Sequence, residues 1–439
     1  KILRKNIMAL VKLDAEEAMF ARSKVRKWPS IAGTGNENLR PITRAYYNPR
    51  IRIEKGDTVF TMGSCFARQL EDTGPKWLGL KKTSHFNSRS QNKYNLHSVL
   101  NQIRWAYGTD DIEKSFSGIL PYSPDTYTDF HGHTMVTEDP REERDESLWS
   151  TQGTEAEQIA SRGRVNGIFE KMKDANFMVI TLGMAEVWYD RETELVLNET
   201  PAAYTLAKFP KRFEFQQIDF NEIMDCFDEI YDIFSANNGP DFKLLLTVSP
   251  IPYTSTFSPN GGAITGNCYS KSVQRAAVET FMARHDNVGY FPSYEMAIHS
   301  DNQYVWDHDF IHVTADFAAY LMAYAQNALL SEELLEEHPE ISPNLVDLRM
   351  VDLLQEMGLK EMIKPYLKYN PVKDKEFAKI KEEYDDQFQT LKVQVIEETQ
   401  KMILEKDQMI ADLMRDRDRI ANEKNTLFME KLKLEMGEV

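Results

Sequence analysis

Four side chains in this sequence have types and spacings that suit acyl-transfer chemistry. Ser64 and Cys65 follow Gly63 at the end of a short apolar run, Val59, Phe60 and Met62, which reads as a buried strand breaking into a sharp turn. The residues after them, Phe66 to Leu70, suit a helix. The hydroxyl and the thiol would then stand where a strand hands over to a helix N-terminus. Free backbone N–H groups there can hold an oxyanion, and the same field lowers the pKa of a thiol. Far along the chain, Asp309 and His312 lie three apart, just ahead of a helix expected over Thr314–Leu330. That spacing lets a carboxylate and an imidazole face one nucleophile from a single loop. The alternative is a helix N-cap region with Asp309 solvated and His312 packed, and Asp307 and His308 are close enough to compete for either role.

The elements that must position these groups follow a regular alternation. After Thr58–Met62, the apolar stretches Asn176–Gly183, Lys243–Pro250 and Val288–Phe291 read as strands. Helical patterns over Ile159–Lys173, Phe220–Ser235 and Ser270–Arg284 precede them in turn. Helices alternating with short, continuously apolar strands indicate a parallel sheet covered on both faces, with ligands at the carboxyl ends of its strands. Gly63, Gly183 to Glu186 and Ser249 all fall at such ends, so three loops distant in sequence should meet at one edge. Ile51 and Ile53 are expected to begin a short strand leading to the central one. Asn95, in a stretch from Lys76 to Gly108 that mixes polar and aromatic residues, could line the pocket there, since small polar donors near a helix N-terminus are common oxyanion partners.

Gly63-Ser64-Cys65-Phe66-Ala67 resembles the signature of the GSCFA family, a branch of the SGNH/GDSL hydrolase superfamily. Further stretches resemble that family in the right order: Thr181–Trp188, Thr247–Pro250, Tyr269–Ser272, Tyr290–Glu295 and Asp309–His312. The resemblance covers about residues 46–330. It implies an SGNH-hydrolase-like fold, a three-layer, doubly wound parallel α/β sheet, with His312 as general base and Asp309 orienting it. In the superfamily's usual turn the serine stands second after glycine. Cys65 holds that place here, so registration favours Cys65 as nucleophile, with Ser64 the alternative if the turn is one residue tighter. Glu186 stands where the superfamily carries an oxyanion asparagine. An ionised carboxylate cannot donate a hydrogen bond, so the oxyanion hole must lean on backbone N–H groups or Glu186 has another role. Gly63, Asn95, Gly183, Glu186 and Ser249 are thus the expected oxyanion or substrate-binding positions. The resemblance implies an acyl-ester hydrolase or O-acyltransferase acting on an acylated small molecule or carbohydrate. The reading from another class is a catalytically idle SGNH-like binding or scaffold module.

Bulk properties narrow the partners. The 439 residues carry a net charge of −17, which argues against non-specific binding of nucleic acid or an anionic membrane. No stretch approaches the ~18 apolar residues of a membrane span. Three scattered cysteines, Cys65, Cys226 and Cys268, do not make a disulfide framework and fit a reducing, cytoplasmic setting. No cofactor is expected. His131-Gly132-His133 has no third ligand at metal-binding spacing, so no metal site is assigned. Residues 1–45 read as a helix (Ile2 to Ala21) and an extended connection, 46–330 as the GSCFA/SGNH-like domain and 331–371 as a helical linker. In 372–439, Phe388, Val395, Met402 and Met409, then Leu413, Ile420, Leu427 and Leu434, recur every seven residues. That pattern predicts a C-terminal coiled coil and a homo-oligomer, with a solvated single helix as the alternative.

Overall fold

The computed structural model describes residues 41–63, 92–110, 155–259 and 261–338, with 10–13, 15, 28 and the short strands 81–82, 119–121, 126–128, 134–136, 143–145 and 151–153. All of these fall in the first of two units into which the chain divides, Lys1–Lys360. Ser64, Cys65, His131, His133 and the heptad tail lie outside the described residues. So does the expected N-terminal helix (Ile2 to Ala21) except for 10–13 and 15, and 10–13 are exposed and not helical, contrary to the expectation.

Strand β1 (Thr58–Met62) is an inner strand of the main sheet. It pairs in parallel with β2 (Lys81–Lys82) on one side. Five short strands follow: β3 (Ile119–Pro121), β4 (Thr126–Thr128), β5 (Thr134–Val136), β6 (Glu143–Asp145) and β7 (Thr151–Gly153). They form two small antiparallel sheets apart from the main one. On its other side β1 pairs in parallel with β8 (Phe177–Leu182), Val59 opposite Phe177 and Met62 opposite Ile180. Next comes an antiparallel group of β9 (Glu186–Asp190), β10 (Leu195–Val196) and β11 (Phe213–Gln217). Finally β12 (Lys243–Val248) and β13 (Val288–Phe291) complete a five-stranded parallel sheet in the order β13-β12-β8-β1-β2. The protein is therefore mixed α/β with a parallel sheet and helices.

Side chains alternate across the sheet, as the two-residue period of a strand requires. Phe60, Met62, Met178, Ile180, Leu244, Leu246 and Tyr290 form one core cluster with helices α1 (Leu96–Tyr107), α2 (Glu155–Phe169), α4 (Phe220–Asn237) and α5 (Ala263–Met282). The short α3 (Ala203–Lys208) lies between β10 and β11 in sequence. On the opposite face, Phe291 packs edge-on against Tyr47 and tilted against Tyr324 of α8 (Ala315–Leu329). Thr247 meets Ser293, the first residue of α6 (Ser293–His299), at 2.5 Å. The chain between these passes through α7 (Asn302–Val305), and α9 (Glu332–Glu337) follows α8. Ile51 and Ile53 depart from expectation. Ile53 makes one isolated bridge to Leu330, and Ile51 lies where a Cβ on Gly289 would touch it, so both pack against existing elements without adding a strand. Helix α1 is not among the helices expected from the sequence, although Leu96, Val99, Leu100, Ile103 and Ala106 recur at helical spacing and Asn95 is an N-cap residue. Its side chain accepts the Ser98 N–H at 2.8 Å.

Candidate active site

Three turns at the carboxyl end of the parallel sheet build the site. Gly63 ends β1 with φ of 139°, a region that favours glycine, and a Cβ there would come within 2.6 Å of Thr181 on β8. Gly183, just past β8, leaves no room for a side chain either. A Cβ would stand 2.2 Å from the Tyr94 carbonyl oxygen, which accepts the Met184 N–H at 2.7 Å. The Gly183 turn is also gripped from α5. Lys271 Nζ donates to the Gly183 carbonyl at 2.7 Å, Gln274 adds a bond at 3.2 Å, and Ser270 Oγ accepts the Ala185 N–H at 2.8 Å. Past β12, Ser249 is buried, donates its N–H to the Leu182 carbonyl, and accepts the Ile251 N–H on its hydroxyl oxygen at 3.3 Å.

Asn95, Gly183, Glu186, Ser249 and His312 all line one cavity of about 670 Å³. Residues more than two hundred positions apart in sequence thus converge, as expected for loops at one end of a parallel sheet. Gly63 sets the turn beside it, and Asp309 stands behind His312. Asn95 has a positioning task. Besides capping α1, it donates to the carbonyls of Leu197 and Asn198, which ties α1 to the chain after β10. Tyr94 and Asn92 extend that brace: Asn198 accepts the Tyr94 N–H and donates to the Asn92 carbonyl.

The loop from Asp307 to His312 holds the expected carboxylate–imidazole pair. Phe310 adopts φ of 56°, uncommon for a residue with a side chain, and this bends the loop back so that the Asp307 N–H reaches the His312 carbonyl at 2.8 Å. Asp309 Oδ1 accepts the N–H groups of Ile311 and His312, both at 2.9 Å, while Oδ2 meets His312 Nδ1 at 2.6 Å. The His312 side chain and these two N–H groups lower the Asp309 carboxyl to about 2. An ionised carboxylate only accepts, so Nδ1 carries the proton and Nε2 of the neutral ring keeps its lone pair. The Asp307 carboxylate accepts the His308 backbone N–H at 2.7 Å, and neither residue is among the described ones that line the cavity.

Glu186 is a buried anchor. Tyr253 donates to it at 3.2 Å and Thr256 at 2.5 Å, both on Oε1, and the Phe257 N–H reaches Oε2 at 3.3 Å. It holds the loop after β12 against β9. The Met184 and Ala185 N–H groups are committed inside the turn, so neither is offered to the cavity. A cysteine–histidine–glutamate row lies elsewhere, between α1 and α4, with Cys226 Sγ 3.6 Å from His97 Nδ1 and Glu222 2.7 Å from His97 Nε2. Burial pushes the Cys226 thiol up to about 12, which leaves it unreactive at neutral pH.

A family model, the GSCFA family, matches residues 58–324, more than half of the chain. The chain belongs to the GSCFA family. No curated protein and no solved structure matches it. In this GSCFA chain the matched span takes in every strand of the parallel sheet, the three turns and the Asp309–His312 loop. Two groups of site residues are given no role by the sequence reading, although Trp188, Ser270 and Lys271 fall in its family-like stretches. One is the aromatic wall of Trp188, Phe215 and Phe257, which lines the cavity. The other is Lys271 with Ser270 and Gln274. Their signal was a polar continuation of the buried stripe of α5, Ser270, Gln274, Ala277, Val278 and Phe281 at helical spacing. Among the described residues no cluster of three metal-ligating side chains occurs, and no helix is long and apolar enough to cross a membrane.

Proposed function

We propose that this GSCFA protein is an SGNH-type acyl-ester hydrolase or O-acyltransferase acting on a carbohydrate or other hydroxylated substrate. The observation that carries the reading is the Asp309–His312 pair, its Nε2 unclaimed by Asp309, on a cavity shared with Gly183 and Ser249. The sheet order supports it: the chain leaves β1 for β2 and returns to pair β8 on the other side, the switch point at which doubly wound sheets bind ligands. In this reading His312 Nε2 takes the proton of Ser64 or Cys65 as its oxygen or sulfur attacks the ester carbonyl. The tetrahedral oxyanion collapses, and the leaving alkoxide recovers that proton from His312. Water or an acceptor hydroxyl then attacks the acyl-enzyme, again with His312 as base, and regenerates the nucleophile.

The commitment of Glu186 and of the Met184 and Ala185 N–H groups favours a second reading, a catalytically idle binding or scaffold module with an incomplete oxyanion hole. Fluorophosphonate and iodoacetamide labelling separates the two. Modification of Ser64 or Cys65 that disappears in His312→Ala supports the enzyme, and equal labelling of native and denatured protein supports the scaffold. In either reading, the heptad pattern of residues 372–439 is proposed to join copies of the chain as a coiled coil.

A further inference from the structure

We infer that the cavity contains an apolar subsite for an uncharged acyl or aryl group, walled by Trp188, Phe215 and Phe257, and that it discriminates against anionic substrates. The inference rests on the ester reading for the placement of the scissile bond beside His312. Trp188 and Phe215 are directly opposed across β9 and β11, with ring centroids 5.8 Å apart. Phe257 joins them from the loop after β12, 5.0 Å from Trp188 and nearly perpendicular to it. It is there because Glu186 holds its backbone N–H and the Thr256 hydroxyl. Yet Phe257 keeps 45% of its surface exposed, so the wall is set in place with its mouth side still wet. An apolar group entering the cavity would displace that water, which is the driving force for binding there.

Among the described residues that line the cavity, the carboxylates have no cationic neighbour in the lining. The described donors to the Glu186 carboxylate are two hydroxyls and an amide, none of them a cation. Asp309 stays ionised behind His312. Among the described lining residues there is no Lys or Arg. Lys271, behind the Gly183 turn, is fully buried with its Nζ turned to the Gly183 carbonyl. A carboxylate, sulfate or phosphate in the cavity would lose water and face a like charge, whereas an amide, an ester or a sugar hydroxyl would not.

Calorimetric titration of the intact chain with phenylacetamide and with phenylacetate tests this, since the two share a shape and differ in charge. The amide should bind, and the anion should bind at least about tenfold more weakly. Phe257→Ala should weaken the amide by about tenfold with an unchanged melting temperature. Trp188→Phe, which keeps an aromatic ring in the strand pair, should weaken it less. Equal affinity for the two probes, or amide affinity unchanged in both variants, overturns the inference, as does failure of the amide to bind at millimolar concentration. Amide binding without turnover of any ester would remove the hydrolase reading and leave the subsite standing. Turnover with no amide binding would do the reverse.

Discussion

His312 and Lys271 are the two residues whose surroundings most constrain what the site can do. The Asp309 carboxyl is held at about 2, so it stays ionised at every pH above that value and keeps His312 in one tautomer. Replacing His312 with Ala should cut hydrolysis of short-chain p-nitrophenyl esters by about 10²–10⁴-fold. Asp309→Asn should cost at least about tenfold, since the amide can also present a donor to Nδ1. Both variants should melt close to the wild type, because the His312 side chain is largely exposed on a loop and the oxygen of an asparagine at 309 can still accept the Ile311 and His312 N–H groups. Lys271 is the opposite case. Burial lowers its ammonium from 10.5 to about 7. Between those two values the unfolded chain holds a proton that the folded chain has released, so wild-type stability should rise with pH across the window and fall as pH drops toward 7. Lys271→Met removes that titration. Thermal melts at pH 6.5 and pH 9.5 should show a smaller rise for the variant, and an equal rise in both would place the titrating group elsewhere.

The turns and helices around the sheet explain why some of the site was readable and some was not. Strands β1, β8, β12 and β13 are buried on both faces, so they showed as apolar runs close to their observed limits, and the glycines after two of them marked the turns. Helices α4 and α8 were equally visible from their apolar periods. The β9–β11 group was missed because Glu186, Trp188 and Phe215 face a cavity, and a strand that turns both a carboxylate and an aromatic ring to one side breaks the usual alternation. Phe257 had no periodic signal, since its position follows from Glu186, 71 residues earlier in the chain. The identity of residue 183 follows from one backbone contact. Gly183→Ala would drive a Cβ into the Tyr94 carbonyl, 2.2 Å away, and neither side can swing aside as a flexible side chain could. The expected loss is about 3 kcal/mol, the upper end of the range for overpacking, measured by urea unfolding. Amide exchange should quicken at Met184, whose N–H bonds to that same carbonyl.

At the scale of the whole molecule, the cavity and the heptad tail make separable demands. Every described group at the site, from Gly63 to His312, lies within the first unit, Lys1–Lys360. The tail has a different composition. Residues 373–436 contain neither Gly nor Pro, and they are too charged for a globular core yet free of the residues that would break a helix. A seven-residue apolar repeat leaves one stripe that another helix can cover, and in a chain with net charge −17 the alternative of a solvated helix would gain little from self-association. The proposal therefore divides cleanly at about Asn370. Full-length protein should scatter light as a dimer, and a chain ending there should scatter as a monomer that retains its esterase turnover and its His312-dependent labelling. Equal mass per particle in the two forms would end the oligomer proposal, and loss of turnover on truncation would mean that the site draws on residues of the tail.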